Sequence, residues 1–278
     1  MSTTEIERDL RINGTVLHVR DTGEDALPVV LALHSLFLDG RAFERFAEAA
    51  AGRYRVVRPD FRGQGRSAPV DSDVIHLDTV TADVIALAES LGLTRAHLLA
   101  QSMGGDVAFR LATARPGLVK SIVALGTSAR AEPAERLAGL REWVDSVGRH
   151  GFTGDLLERT MEIMFGERTR TDPAKRELVE LWRSRISELP RTLRPAMAGV
   201  IERGTAVHLL PQINAPVLVV SGDEDRPRPV DWQDEMVEHL PHATLWRLEG
   251  VGHSPLLEAA DKVLPRVLAF LDQVEETG

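Results

Sequence analysis

Six short apolar runs recur along the chain, separated by segments of helical pattern. They are Val29–Leu33 (VVLAL), Tyr54–Arg58 (YRVVR), Ala96–Ala100 (AHLLA), Val119–Leu125 (VKSIVAL), Val217–Val220 (VLVV) and Ala243–Leu248 (ATLWRL). Several are nearly continuous in Val, Leu and Ile. A strand with one wet face alternates polar and apolar residues, whereas a strand covered on both faces does not. The runs therefore predict a mostly parallel sheet with helices on both faces. Helical patterns near 41–52, 77–91, 103–115, 230–240 and 257–274 supply those helices. The start differs. Glu5–Ile12 and Thr15–Arg20 flank Asn13-Gly14, a two-residue hairpin signal, so an antiparallel hairpin is expected at one edge. The fold class is α/β.

The rhythm breaks between Thr127 and Ile213, where no strand is evident. A strand-to-helix loop takes roughly 2–6 residues, so these ~85 residues must be an inserted element. Helices are expected near 133–149, 154–165, 173–188 and 191–203. Asp172-Pro173 is a start signal, an N-cap acceptor before a proline at the first helical position. Apolar residues recur at helical spacing in Leu157, Met161, Met164 and Phe165, and in Leu178, Leu181 and Trp182. The expected organisation is a core formed by residues 1–126 and 214–278, with a helical lid over 127–213.

Composition removes several chemistries. The 278 residues include no cysteine, which excludes disulfides, thiolate metal sites and a thiol nucleophile and suits a cytoplasmic setting. A net charge of −9 argues against nucleic acid or an anionic membrane surface as partner. The N-terminal MSTTEIERDLRING lacks a basic start followed by an apolar run, so no secretory leader is expected. No P-loop, H-E-x-x-H or other metal-ligand cluster is evident, and no cofactor is expected.

Three loops carry the chemistry. Leu98–Gly105 (LLAQSMGG) runs from a strand through Ser102 into the helical pattern DVAFRLATARP, a near match to G-x-S-x-G with Ala100 in the first glycine place. A serine on a sharp strand-to-helix turn needs small neighbours two residues away, and the helix start behind it offers N–H groups and a positive dipole end. The alternative is a serine that only caps the helix. Val217–Asp225 (VLVVSGDED) ends a strand in three acids, and Glu249–Ser254 (EGVGHS) places His253 after a strand and a glycine-rich turn. Taken singly, these are a solvated turn and an ordinary loop histidine. The order serine, acid, histidine, each at the carboxyl end of an expected parallel strand, gives them joint weight.

On these motifs the chain resembles the α/β-hydrolase fold family over nearly its whole length, in the serine branch, since relatives that hydrolyse epoxides or haloalkanes carry aspartate where Ser102 stands. The resemblance implies a triad of Ser102 as nucleophile, His253 as general base and acid, and Asp225 as the residue orienting it, with Asp223 and Glu224 as fallbacks. It implies an oxyanion hole from the backbone N–H groups of Met103 and Leu36, the latter in His34-Ser35-Leu36 where the family usually shows His-Gly-X. Asp60–Ser67 (DFRGQGRS) matches a structural landmark of the family, D-x-x-G-x-G-x-S. LHSLFLDG, AQSMGG and a four-helix lid look most similar to 3-oxoadipate enol-lactonases and nearby carboxylesterases. The implied substrate is a small ester or lactone, and Arg130, Arg136, Arg141, Arg149 and Arg159 in the lid are candidate partners for a carboxylate. Two alternatives stand beside this reading: a C–C bond hydrolase of the same fold, and a ligand-sensing receptor that keeps the triad.

Overall fold

The computed structural model describes residues 5–277. The reading of the N-terminal stretch rests partly on residues 1–4, which lie outside the described residues. Eight strands form one sheet: β1 (Ile6–Ile12), β2 (Thr15–Asp21), β3 (Val29–Leu33), β4 (Arg55–Pro59), β5 (Ala96–Gln101), β6 (Val119–Leu125), β7 (Val217–Gly222) and β8 (Ala243–Leu248). Their order across the sheet is β1-β2-β4-β3-β5-β6-β7-β8. β1 and β2 pair antiparallel through the Asn13-Gly14 turn, whose residues have φ of 46° and 76°. Both central residues of such a turn need positive φ, which asparagine and glycine tolerate best. β2 meets β4 antiparallel, and every pairing from β4 to β8 is parallel.

The continuous apolar runs become strands flanked on both sides, of which β5 and β7 are buried at every residue. β8 departs from the expectation of a strand covered on both faces. It pairs on one side only, with β7, and several of its residues are exposed or half-buried. Its apolar composition reflects a half-covered edge.

Helices α1 (Glu44–Ala50), α2 (Leu77–Ser90), α3 (Met103–Ala114), α9 (Val230–His239), α10 (Pro255–Glu258) and α11 (Ala260–Thr277) accompany the sheet. Between β6 and β7 the chain forms α4 (Ala134–His150), α5 (Gly154–Met164), α6 (Glu167–Thr171), α7 (Arg176–Ser187) and α8 (Arg194–Ile201), with short 3-10 turns between some of them. α6 has no sequence signal of its own, being a single turn too short to show periodicity. Asp172 does act as a cap, its Oδ1 accepting from Ala174 N at 2.9 Å, but the first turn is 3-10 and α7 begins only at Arg176. Trp182, Met161, Met164 and Phe165 are buried as their spacing predicts, whereas Leu181 is 48% exposed. No described helix is long and apolar enough to cross a membrane.

Candidate active site

Ser102 stands between β5 and α3 with φ 49° and ψ −110°, a conformation that L-residues adopt only under constraint. The constraint is packing. A Cβ on Gly104 would stand 2.0 Å from Leu33 O, and one on Gly105 would stand 2.4 Å from Thr127 Oγ1. The turn is thus held against β3 and the end of β6 through two residues that have no side chain. Ser102 N donates to Leu125 O at 3.0 Å and Thr127 Oγ1 donates to Ser102 O at 2.8 Å. The strain is carried by bonds on both sides of the serine, and its side chain is left facing a cavity.

His253 follows the turn after β8 and lines the same cavity. Its Nδ1 donates to Asp225 Oδ1 at 2.9 Å. That carboxylate is buried and also accepts from Arg228 N at 2.9 Å and Gln233 Nε2 at 3.4 Å. With Nδ1–H committed to the carboxylate, neutral His253 presents Nε2 as an acceptor. The neighbouring acids have other tasks. Asp223 Oδ1 accepts from Gly250 N at 2.7 Å, and Glu224 Oε2 accepts from Arg168 N at 2.9 Å. No hydrogen bond joins Ser102 Oγ to His253 Nε2 among the described residues, and such contacts commonly tighten only when substrate binds.

Of the two expected oxyanion donors, Met103 follows the serine directly and Leu36 shares its cavity. Met103 N begins α3, where the first N–H groups lack intrahelical acceptors. Leu36 lines the cavity. Among the described residues neither N–H makes a hydrogen bond outside the helices and strands. The loop that carries Leu36 is fixed by His34, the first residue of the His34-Ser35-Leu36 motif. Its Nδ1–H donates to Ser35 O at 2.8 Å and its Nε2 accepts from Phe61 N at 2.8 Å. Burial pushes its pKa below 6.5 despite the opposing pull of Asp60. A neutral imidazole therefore spans two loops. Asp60 ties the second of them, accepting from Gly40 N and Arg66 N, both at 2.8 Å. The Asp60–Ser67 segment is a brace beneath the site.

The cavity measures about 440 Å³, within the range of small-molecule sites. Phe37, Leu140, Trp143 and Met164 form much of its apolar wall. Of the five arginines singled out in the sequence, Arg136 and Arg159 line it; Arg130 instead pairs with Glu235, Arg141 pairs with Glu202, and exposed Arg149 donates to Ser146 Oγ at 3.4 Å. Sequence reasoning passes over Arg228 and Glu132, which also line it. Glu132 Oε1 accepts from Arg203 Nη1 at 2.8 Å and Arg228 Nη1 at 3.1 Å. Burial works to raise the Glu132 pKa, but the two guanidinium groups outweigh it and hold the carboxyl below its ordinary value. Burial, with Arg203 close by, pushes Arg228 down to about 10. The position of Arg228, three residues after Asp225, is the available signal. Among the described residues there is no group of three or more His, Asp or Glu that could hold a metal.

A model of the alpha/beta hydrolase fold family matches residues 28–260, and the chain belongs to that family. Among curated relatives, the magnesium-chelatase 30 kDa subunit of Rhodobacter capsulatus is 30% identical over 91% of this chain and 90% of its own length. A 2-hydroxy-6-oxononadienedioate/2-hydroxy-6-oxononatrienedioate hydrolase of Burkholderia vietnamiensis is 28% identical over 93% and 92%. Among solved structures, a thermophilic esterase from Thermogutta terrifontis superposes with TM-score 0.86 at 27% identity, covering 98% of this chain and 99% of that one. The enol-lactonase of Burkholderia xenovorans LB400 gives TM-score 0.86 at 23% identity over 95% and 100%, a likeness of fold.

Proposed function

We propose that this chain is a serine hydrolase that cleaves a small carboxylic ester or lactone through an acyl-enzyme on Ser102. One observation carries the reading: a serine held at φ 49° at the mouth of a helix shares its cavity with a histidine whose Nδ1 donates to a buried aspartate. His253 Nε2 takes the hydroxyl proton as Ser102 Oγ attacks the carbonyl carbon. The resulting oxyanion faces Leu36 N–H and Met103 N–H. Collapse of the tetrahedral species breaks the ester C–O bond, and the leaving oxygen takes the proton from His253. Water then attacks the acyl-enzyme with His253 again as base, releasing the acid and restoring the serine. Asp225 holds the ring and balances its transient positive charge.

The helices between β6 and β7 act as a lid. Trp143, Leu140 and Met164 belong to that segment and border the cavity, so they keep water from the acyl-enzyme. Arg136 and Arg159 border it too and favour a substrate carrying a carboxylate. The partner is accordingly a small molecule. The relatedness to a 2-hydroxy-6-oxononadienedioate hydrolase supports a second reading, cleavage of a C–C bond by the same residues.

Fluorophosphonate labelling tests the first reading. One adduct is expected, on Ser102, absent in Ser102→Ala and in denatured protein. Turnover of p-nitrophenyl acetate or a γ-lactone is expected and is abolished by His253→Ala. No adduct and no turnover across a broad ester panel would sink the proposal. Faster turnover of a vinylogous diketone than of any ester moves it to the second reading. Competitive inhibition by small carboxylates stronger than by neutral amides of the same shape is the expected sign of an anionic substrate.

A further inference from the structure

Glu258 lies at the end of α10, outside the three loops that carry the chemistry, and is buried to 3% exposure. A buried carboxylate is costly unless its oxygens are satisfied. This one accepts three backbone N–H groups, two from the residues just before its own helix and one from a stretch 92 residues away. Oε1 accepts from Ser254 N at 2.9 Å, and Oε2 accepts from Gly252 N at 3.0 Å and from Gly166 N at 2.9 Å. Gly252 and Ser254 are the residues on either side of His253. Gly166 joins α5 to α6.

The two stretches touch without intervening side chains. A Cβ on Gly252 would stand 2.1 Å from Gly166 N, and a Cβ on Gly166 would stand 2.9 Å from Gly252 N. Ser254 Oγ adds a bond to Met164 O at 2.8 Å. On the far side, Gln101 Nε2, next to Ser102, donates to His253 O at 3.2 Å. The peptide units around His253 are therefore gripped from three directions, and Glu258 supplies the bonds on both flanks of the histidine. Burial raises the Glu258 pKa, and the same three N–H groups oppose that rise.

We propose that Glu258 is a positioning residue: by bonding both flanks of His253 and the α5–α6 junction at once, it sets the ring's approach to Ser102 and couples that geometry to the helical segment. The inference rests on the reading of His253 as the base. A carboxylate suits the task because it accepts at both oxygens. In Glu258→Gln the amide NH2 must face at least one N–H, so one flank is released. A shift of about 1 Å in a catalytic group can cost on the order of 100-fold in rate.

The test pairs two measurements. In Glu258→Gln the rate of Ser102 phosphonylation by a fluorophosphonate should fall roughly 10- to 100-fold. With any ester substrate the fall should appear in kcat, with KM within about 3-fold. Residue-resolved amide exchange should rise together at 166–168 and 252–254. Glu258→Asp keeps the charge on a shorter arm and should recover part of the labelling rate. Labelling within about 3-fold of the parent, or faster exchange in one stretch alone, would overturn the proposal. If neither variant folds, the unaltered protein decides. The amides of Gly166, Gly252 and Ser254 should be protected to within a few-fold of one another, and Gly166 exchanging more than about 100-fold faster than the other two refutes the clamp. Exchange does not depend on catalysis. Failure of the unaltered protein to label therefore counts against the hydrolase reading, and uncoupled exchange counts against Glu258.

Discussion

Asp223, Glu224 and Asp225 are neighbours in sequence, yet each carboxylate meets a different partner: Gly250 N, Arg168 N and His253 Nδ1. From sequence they differ only by counting from the glycine that ends β7, and the family habit rather than their own chemistry points to Asp225. The separation is tested by substitution. Asp225→Asn presents an amide to His253 and favours the wrong tautomer, so kcat should fall by about four orders of magnitude. Asp223→Asn loses one charge-assisted bond at a surface turn. It should cost about 1 kcal/mol in chemical denaturation and leave kcat within a few-fold. The reverse result exchanges the two assignments. Ser102 and His253 are legible because their loops combine a strand end with small residues. Arg228 and Glu132 are not, because they meet across 96 residues of chain, and Glu258 is not, because its link to Gly166 spans 92 residues although its bonds to Gly252 and Ser254 are local. Glu132→Ala should cost about 3–5 kcal/mol, since it leaves Arg203 and Arg228 buried without their shared acceptor. Urea unfolding within about 1 kcal/mol of the parent would show that the pair relaxes.

At the level of elements, the sheet is readable and its borders less so. Continuous apolar runs mark β3, β5, β6 and β7, and Asn13-Gly14 marks the hairpin. β8 reads as more buried than it is because apolar composition reports a strand, not how many neighbours it has. The helices between β6 and β7 show their periodicity, but the one-turn α6 and the exposed Leu181 fall below what periodicity resolves. The joint between β5 and α3 makes the sharpest element-scale prediction. Gly104→Ala drives a Cβ onto the Leu33 carbonyl, and that oxygen belongs to a central strand that cannot yield. It should destabilise by about 4 kcal/mol or more, or prevent folding. Gly117→Ala, where a Cβ meets nothing within 4 Å, should shift the urea midpoint hardly at all. Equal effects at the two sites would contradict the packing described for the Ser102 turn.

For the whole molecule, stability should depend on pH through buried histidines well before the carboxylates titrate. Burial pushes His34 and His97 below their ordinary 6.5, so both resist protonation in the folded chain. Below about pH 6.5 the unfolded chain binds protons that the native one does not, and stability falls as the pH drops. Asp39 and Glu132, whose pKa values are lowered, add a second loss below about pH 4. Glu258, shifted upward, works in the opposite sense. The melting temperature should therefore decline between about pH 7 and 5.5, and a flat profile over that window would refute the neutral state assigned to His34 and His97. Gly166, inside the longest stretch between consecutive strands, meets Gly252, just after the last strand, back to back. A chain that has assembled β1–β8 while the segment between β6 and β7 is still undocked has a complete sheet but an unshaped histidine loop. On refolding, secondary structure should return before fluorophosphonate reactivity, and the delay between them is the time that segment takes to settle.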